Sequence, residues 1–333
     1  MTEHHNAFNI LRIAAALAVI FSHHFPITGT LPPHWLHSNM VGGVAVMTFF
    51  TISGYLVTLS WLRDPQVLPF AAKRLLRLWP GMLVAVALGS MVLGPIFTSL
   101  SVVDYLSHPE TMEHWKNLLL VKAYVNLPGV FENNPLQGLM NGPLWTIPLE
   151  LLCYAVLLAA AALGVFRYSW LATLLGLGYL AYFLVTRNAD INDGMQHWWE
   201  YPAYFVVGSL IAVHRGVFLR WRWHVVLALL PLAGFIFFGL EFEHSAGLLL
   251  LPPLLISIGS LRGRFFSAIQ RAGDPSYGIY VLGCPVQQVV QAIFPTMPFM
   301  MSMLAAMGLA LLVGYGSWHL VESPMLRLKR YVS

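Results

Sequence analysis

The chain has 333 residues, of which 58% are hydrophobic and 10% charged, with a mean hydropathy of +0.69. Soluble domains carry roughly 25% charged residues, because their surfaces face water, so a water-exposed globule is excluded and a lipid-facing protein is expected. The net charge of +4 comes from basic residues spread over five loops and a tail; with no soluble domain to gather them into a groove, nucleic acid is excluded as a partner.

Apolar stretches near the length that crosses a hydrocarbon core, about 20 residues, fall at 11–30, 40–61, 79–100, 145–166, 169–186, 200–214, 223–240, 245–260, 276–296 and 299–320, some of them short. The predicted fold class is therefore all-α: a polytopic transmembrane helical bundle of about ten spans, with both termini on one face. Fifteen of the 18 basic residues fall on that face and only Lys116, Lys122 and Arg187 on the other. By the positive-inside rule the termini are expected in the cytoplasm, in a multi-pass protein of the cell inner (cytoplasmic) membrane. The outer segments carry acids instead, among them Asp104, Glu110, Glu113, Glu132, Asp190, Asp193, Glu241 and Glu243. Residues 1–333 read as a single integral membrane domain, without solenoid or inverted repeats.

In chain order, Ile13–Phe21 resembles a signal-peptide core, but Ser22-His23-His24-Phe25-Pro26 follows where a cleavage site would need small residues, so a retained first helix is expected. Arg12 and His23 are eleven residues apart, about three turns, which puts both on one stripe about 16 Å apart along the axis. With Arg12 at the cytoplasmic interface, His23 lies near midplane, where an ionisable side chain is a functional candidate. His24 points about 100° away and is the weaker candidate. In the second span Ser53 and Gly54 permit close helix packing, with substrate contact by Ser53 or Tyr55 the minority reading. Between spans two and three, Arg74 and Arg77 share a helical face at i,i+3 and have the chemistry to clamp phosphate; simple topogenic charge explains them as well.

Residues 101–144 form the longest segment outside the spans and read as extracytoplasmic or interfacial, with turn chemistry at 132–138. The fourth span opens at Asn141-Gly142-Pro143-Leu144-Trp145 and places Glu150 about 10 Å below the outer surface, near the depth of His23. A carboxylate there can orient an imidazole base and balance its charge. Trp115, Trp145, Trp198, Trp199, Tyr201, Trp221 and Trp223 read first as an interfacial aromatic belt, with sugar stacking a second reading for Trp115 and Trp145. Cys153 and Cys284 lie in apolar spans without disulfide or metal-ligand spacing. No metal and no permanently bound cofactor is expected, and homo-oligomerisation is left open.

With these residues in hand, the chain resembles the acyltransferase type 3 family of integral membrane O-acyltransferases almost end to end. Arg12 to His23 is similar to its Arg-x10-His signature, Phe49–Leu56 to its FFxxSGF/Y segment, and Arg74–Pro80 to its RxxR-x-x-P segment. Leu144–Glu150, Ser276–Tyr280 and the closing Glu322-Ser323-Pro324 fit in the same order. The resemblance implies acyl-CoA, most often acetyl-CoA, as donor co-substrate and a glycan or lipid-linked sugar as acceptor. It implies a catalytic role for His23 and carries the family's arginines over to Arg12, Arg74 and Arg77, where CoA is expected to bind; on the depth argument above, Glu150 is expected to orient His23 or balance its charge. Trp145, Ser53 and Tyr55 then become candidate substrate-binding or oxyanion-stabilising groups, beside membrane lipid as surroundings. Direct transfer and an acyl-histidine intermediate both remain open. One departure stands out: the family's Leu-x-His after Tyr280 is here Val281-Leu282-Gly283, so no role transfers to that position. The rival reading is a transporter or flippase for a lipid-linked sugar, which also needs midplane polar residues but is expected to show repeats that this chain lacks.

Overall fold

The computed structural model describes residues 6–34, 40–186, 197–239 and 243–331; Arg187, Asp190, Asp193 and Glu241, assigned above to outer segments, lie outside them. Among the described residues there are helices, turns and isolated β-bridges but no strand. The long helices, labelled here in order, are α1 (Phe8–Thr28), α2 (Met40–Arg63), α3 (Val67–Ala87), α4 (Thr146–Ala162), α5 (Ser169–Thr186), α6 (His197–Val213), α7 (Arg215–Gly239), α8 (Glu243–Gly259), α9 (Ser276–Ile293) and α10 (Phe299–Ser317). Each predicted apolar stretch overlaps one of them, although the third, 79–100, covers only the end of α3, which begins twelve residues earlier, and runs on past it. Among the described residues, six segments are long and apolar enough to cross a membrane: Phe8–Thr28, Val41–Arg63, Val67–Phe97, Gly142–Ala162, Arg215–Phe238 and Phe299–Lys329. The apolar helical segments at Ser169–Val185 and Ser245–Gly259 are shorter, and the continuous helix α9 has its apolar run broken by Gln287, Gln288 and Gln291.

The described chain packs as two compact units. One takes residues from Met1–Leu11, Val46–Ala71 and Leu152–Ala268; the other from Arg12–Ala45, Ala72–Leu151 and Ile269–Ser333. In the first, α2 and α6 cross at glycines: a Cβ on Gly54 would lie 2.0 Å from the Phe205 carbonyl oxygen, and one on Gly208 2.3 Å from that of Thr51. Ser209 donates to the Gly54 carbonyl at 3.3 Å. This is the close approach that Ser53-Gly54 led us to expect, and it works because small residues let backbones touch where lipid gives no hydrophobic drive. Tyr201 departs from the aromatic-belt reading: it is buried, with its ring 5.6 Å from that of Phe50. Trp221 and Trp223 do stay exposed.

In the second unit, α3 runs on through a π-turn at Leu88–Leu93 to Phe97. Such a turn leaves a carbonyl out of register, and here the buried Tyr105 hydroxyl donates to the Ser90 carbonyl at 3.0 Å. Gly94 makes that seat, since a Cβ there would lie 1.8 Å from the Tyr105 oxygen. Tyr105, Leu127, Val130, Phe131 and Met140 form one core, packed against Leu93, Phe97, Val289 and Ala292, so segment 101–144 is a folded cap. Its turn at 132–138 differs from the sequence expectation at one place. Glu132 and Asn133 are exposed, but Asn134 is buried and donates to the carbonyl and side-chain oxygens of Gln288 at 3.0 and 2.8 Å. The Asn134 carboxamide thus ties the cap to the middle of α9, which an exposed turn residue would not do.

Candidate functional site

The basic end of the second unit is organised around a residue that sequence reasoning passed over. Asp274 precedes α9, after Gly273, whose φ of +108° suits glycine alone. A Cβ on Gly273 would also lie 2.0 Å from the Trp318 indole nitrogen. The turn so formed carries the Asp274 carboxylate to α1 and α3. Its Oδ2 accepts from Arg12 and, at 3.0 Å, from Arg77, while Oδ1 accepts from the Ser276 hydroxyl at 2.5 Å. The three charged side chains are only 13–20% exposed. Burial alone would raise the Asp274 carboxyl; the Arg77 and Arg12 guanidinium groups outweigh it and hold the group at about 2. Two cations on one carboxylate leave an excess positive charge.

More charge stands around this cluster. Arg77 lies 5.8 Å over the Tyr277 ring. Lys329, on the C-terminal 3-10 turn, is in electrostatic reach of Arg74, Arg77, Lys73 and Asp274. Buried Glu322 interacts with Arg77 and Asp274 and accepts from Ser317 at 2.7 Å. Gly81 on α3 and Gly278 on α9 make its room: Cβ atoms there would lie 3.4 and 2.9 Å from its carboxyl group. Arg74 and Arg77 sit within α3, on the helical spacing expected of them.

From this cluster α1 runs unbroken to His23. Ala16 and Val19, on the stripe between Arg12 and His23, are buried, so that stripe faces protein and not lipid. The His23 Nδ1 lies 3.0 Å from the Val19 carbonyl oxygen. A carbonyl only accepts, so Nδ1 carries the proton and Nε2 keeps a lone pair, which a general base requires. The neighbouring histidine is different. His24 is fully buried, its Nδ1 3.0 Å from the Gln287 amide nitrogen and its Nε2 2.8 Å from the Ser302 hydroxyl. The amide donates to Nδ1, Nε2–H donates to Ser302, and Ser302 donates to the Phe299 carbonyl at 3.0 Å. Both ring nitrogens of His24 are engaged with neighbouring helices in this structure.

The start of α4 is fixed on α9. Asn141 donates to the Val281 carbonyl at 2.7 Å, and Thr146 and Tyr280 share a hydrogen bond of 2.7 Å between hydroxyls. Trp145 and Glu150 are carried on this anchored end, both half-buried, and Glu150 is in electrostatic reach of Tyr280. The partner that orients the His23 ring in this structure is the Val19 carbonyl, a backbone group no motif could reveal. Ser53 and Tyr55 belong to the first unit: Ser53 lies 3.4 Å from the Tyr154 hydroxyl, and Tyr55 is 2% exposed in a core with Phe8, Ile52, Ala212 and Ile256. Gly283, where the family resemblance expects histidine, abuts α1: a Cβ there would lie 2.7 Å from Ile20 Cγ1. The polar contact to α1 is made one turn later, by Gln287 to His24 and to the Ile20 carbonyl at 2.8 Å.

Comparison with known proteins gives the same direction. A family model described as an acyltransferase domain, that of the acyltransferase type 3 family, matches residues 5–319. The chain is 29% identical to an O-acetyl transferase of Shigella phage Sf6, covering 96% of each chain. It is 25% identical to nodulation protein 10 of Rhizobium leguminosarum bv. viciae, over 98% of this chain and 94% of that one. No solved structure matches. With the family's segments present in order, and its model matching nearly the whole length, this membrane protein belongs to the acyltransferase type 3 family.

Proposed function

We propose that the protein is an O-acyltransferase that moves an acyl group, acetyl in the simplest case, from cytoplasmic acyl-CoA to a hydroxyl of a glycan or lipid-linked sugar. In this reading it is a multi-pass protein of the inner membrane, with about ten spans and both termini in the cytoplasm. The observation that carries the reading is the pairing, on one protein-facing stripe of α1, of a cationic cluster at Arg12 and a histidine with a free Nε2 lone pair at His23. Eleven residues of helix separate them by about 16 Å, comparable to the roughly 15–20 Å reach of a pantetheine arm.

Phosphates of CoA would bind at Arg74 and Arg77, with Arg12 beside them, and the arm would run along α1 to bring the thioester to His23. His23 Nε2 takes the proton of the acceptor hydroxyl as its oxygen attacks the thioester carbonyl. The carbon–sulfur bond then breaks, and the CoA thiolate leaves and takes that proton back. Glu150 balances the imidazolium charge from the end of α4, beside Trp145, which offers a ring for the sugar. The name of the Shigella phage relative supports acetyl transfer to oxygen. Mass spectrometry of surface glycans from cells with and without the gene tests the reading: a gene-dependent acetyl mass increment supports it, and identical glycans speak against it.

A further inference from the structure

The first unit contains a furrow that the acyl-transfer reading does not use. It lies between α4, α5 and α6 and has a volume of about 360 Å3. On α6 its wall runs from Trp198 through Pro202, Phe205 and Ser209 to Val213, a stretch of helix about 22 Å long. Cys153, Leu157, Ala172 and Phe205 are buried and form the floor, while Leu152, Val156 and Leu175 are more than half exposed and form the lips. The furrow is therefore open along its side, toward the lipid that surrounds apolar helices.

Its interior offers little to a polar ligand. No charged side chain lines it among the described residues. Its two hydroxyls are spent on the backbone: Tyr179 donates to the Trp199 carbonyl at 2.7 Å, and Ser209 to the Phe205 carbonyl at 2.9 Å. An apolar cavity of about 150 Å3 takes a benzene ring, so by the same measure this one takes about fourteen carbons. Spread over about 22 Å, those carbons make a single chain and not a ring system. The hydrocarbon chain of one bilayer leaflet spans about 15 Å, half of the core, and fits within that length.

One end of the furrow is cationic. Val165 and Phe166 line it there, and the next residue, Arg167, is exposed. The helix α5 starts at Ser169, so the positive end of its dipole adds to the Arg167 charge. Tyr168 and Trp170 flank this end, both exposed and with ring centroids 6.3 Å apart. Amphipathic aromatic rings of this kind settle at headgroup depth. An apolar chain-sized slot that ends beside a guanidinium at that depth complements a lipid with a negatively charged phosphate.

We propose that the furrow binds one acyl chain of an anionic phospholipid, whose phosphate sits at Arg167. The site is independent of acyl transfer.

The test uses the full chain, delipidated in maltoside micelles and titrated with dioleoyl phosphatidylglycerol, dioleoylglycerol or a polyisoprenyl phosphate. Thermal unfolding and native mass spectrometry read the binding. One phosphatidylglycerol per chain should be retained and should raise the unfolding temperature, while dioleoylglycerol, with the same chains and no phosphate, should do neither. Ala160 lines the furrow, so Ala160→Phe fills about half of its fourteen-carbon capacity. That variant should weaken phosphatidylglycerol binding at least about tenfold, the worth of two buried methylenes. Ala159→Phe, one residue away on the exposed side of α4, should bind as wild type does. Arg167→Gln should weaken binding about tenfold, the worth of one charged hydrogen bond. Arg167 is exposed, so its variant keeps the fold and decides the matter where Ala160→Phe does not fold. The proposal is overturned if phosphatidylglycerol neither stays bound nor stabilises, if dioleoylglycerol matches it, or if an equal amount of polyisoprenyl phosphate displaces it. It is equally overturned if folded Ala160→Phe or Arg167→Gln binds as wild type does, or if Ala159→Phe loses as much binding as Ala160→Phe.

Discussion

Asp274→Asn isolates the cluster at the foot of α1, α3 and α9. The substitution keeps the size of the side chain and its acceptor for Ser276, but removes the charge shared by Arg12 and Arg77. Removing one partner of a buried pair costs about 3–5 kcal/mol; the 13–20% exposure of these side chains places this case near about 3 kcal/mol. A second route agrees. A carboxyl held at about 2 in place of the ordinary 3.8 corresponds to about 2–3 kcal/mol at neutral pH. Because the folded-state value is the lower one, this stabilisation is complete above about pH 4 and disappears as the pH falls through about 2. Thermal unfolding of purified protein should therefore show a clear loss of stability for the variant at pH 7, and the gap to wild type should narrow as the pH is lowered from 4. CoA adds a further readout. Its phosphates would replace the missing negative charge, so saturating CoA should stabilise Asp274→Asn more than it stabilises wild type. A variant as stable as wild type at pH 7, or one that CoA stabilises less, would refute the reasoning.

Other predictions follow from separate parts of the structure. Arg74→Ala with Arg77→Ala should raise the dissociation constant for CoA at least about tenfold, since charged hydrogen bonds are worth roughly 1.5–3 kcal/mol each; calorimetric titration checks this, and unchanged affinity would leave the arginines a topogenic role. Gly54→Ala should cost about 3 kcal/mol, the upper part of the overpacking range, because the added methyl meets a backbone carbonyl and not a movable side chain; a wild-type melting temperature would contradict the packing. A cysteine placed at Asn133 should react with an impermeant thiol reagent in intact cells, whereas one at the buried Asn134 should not; labelling at 133 only after lysis would reverse the proposed orientation.

How far the sequence reached depended on the range of the interaction. Helices were legible because lipid demands continuous apolar stretches, and each of those stretches became a helix. Arg12 with His23 and Arg74 with Arg77 were legible because one helix fixes their spacing. Asp274 was not, since its partners are 262 and 197 residues away and only the folded turn at Gly273 brings it to them. A signal did exist: Asp274 is one of few acids on the basic face, next to the Ser276–Tyr280 segment. Asn134 misled for a related reason, because turn composition marks the chain reversal and says nothing about Gln288, which buries it. That His23 and His24 point to different surroundings was legible from helix geometry, but the Gln287 and Ser302 contacts of His24 lie on distant helices.

The central claim is that His23 is the base of an acyl transfer. It is tested most directly by following labelled acetyl-CoA with wild type and His23→Gln in membranes from the native host, with CoA affinity measured on the same purified proteins. The account predicts labelled acceptor and free CoA thiol from wild type, and at least a ~100-fold lower rate from the variant, the low end of general-base assistance. CoA binding should persist, because the proposed phosphate contacts lie about 16 Å away along α1. Near-normal transfer by a folded His23→Gln protein would contradict the account and return His23 to packing.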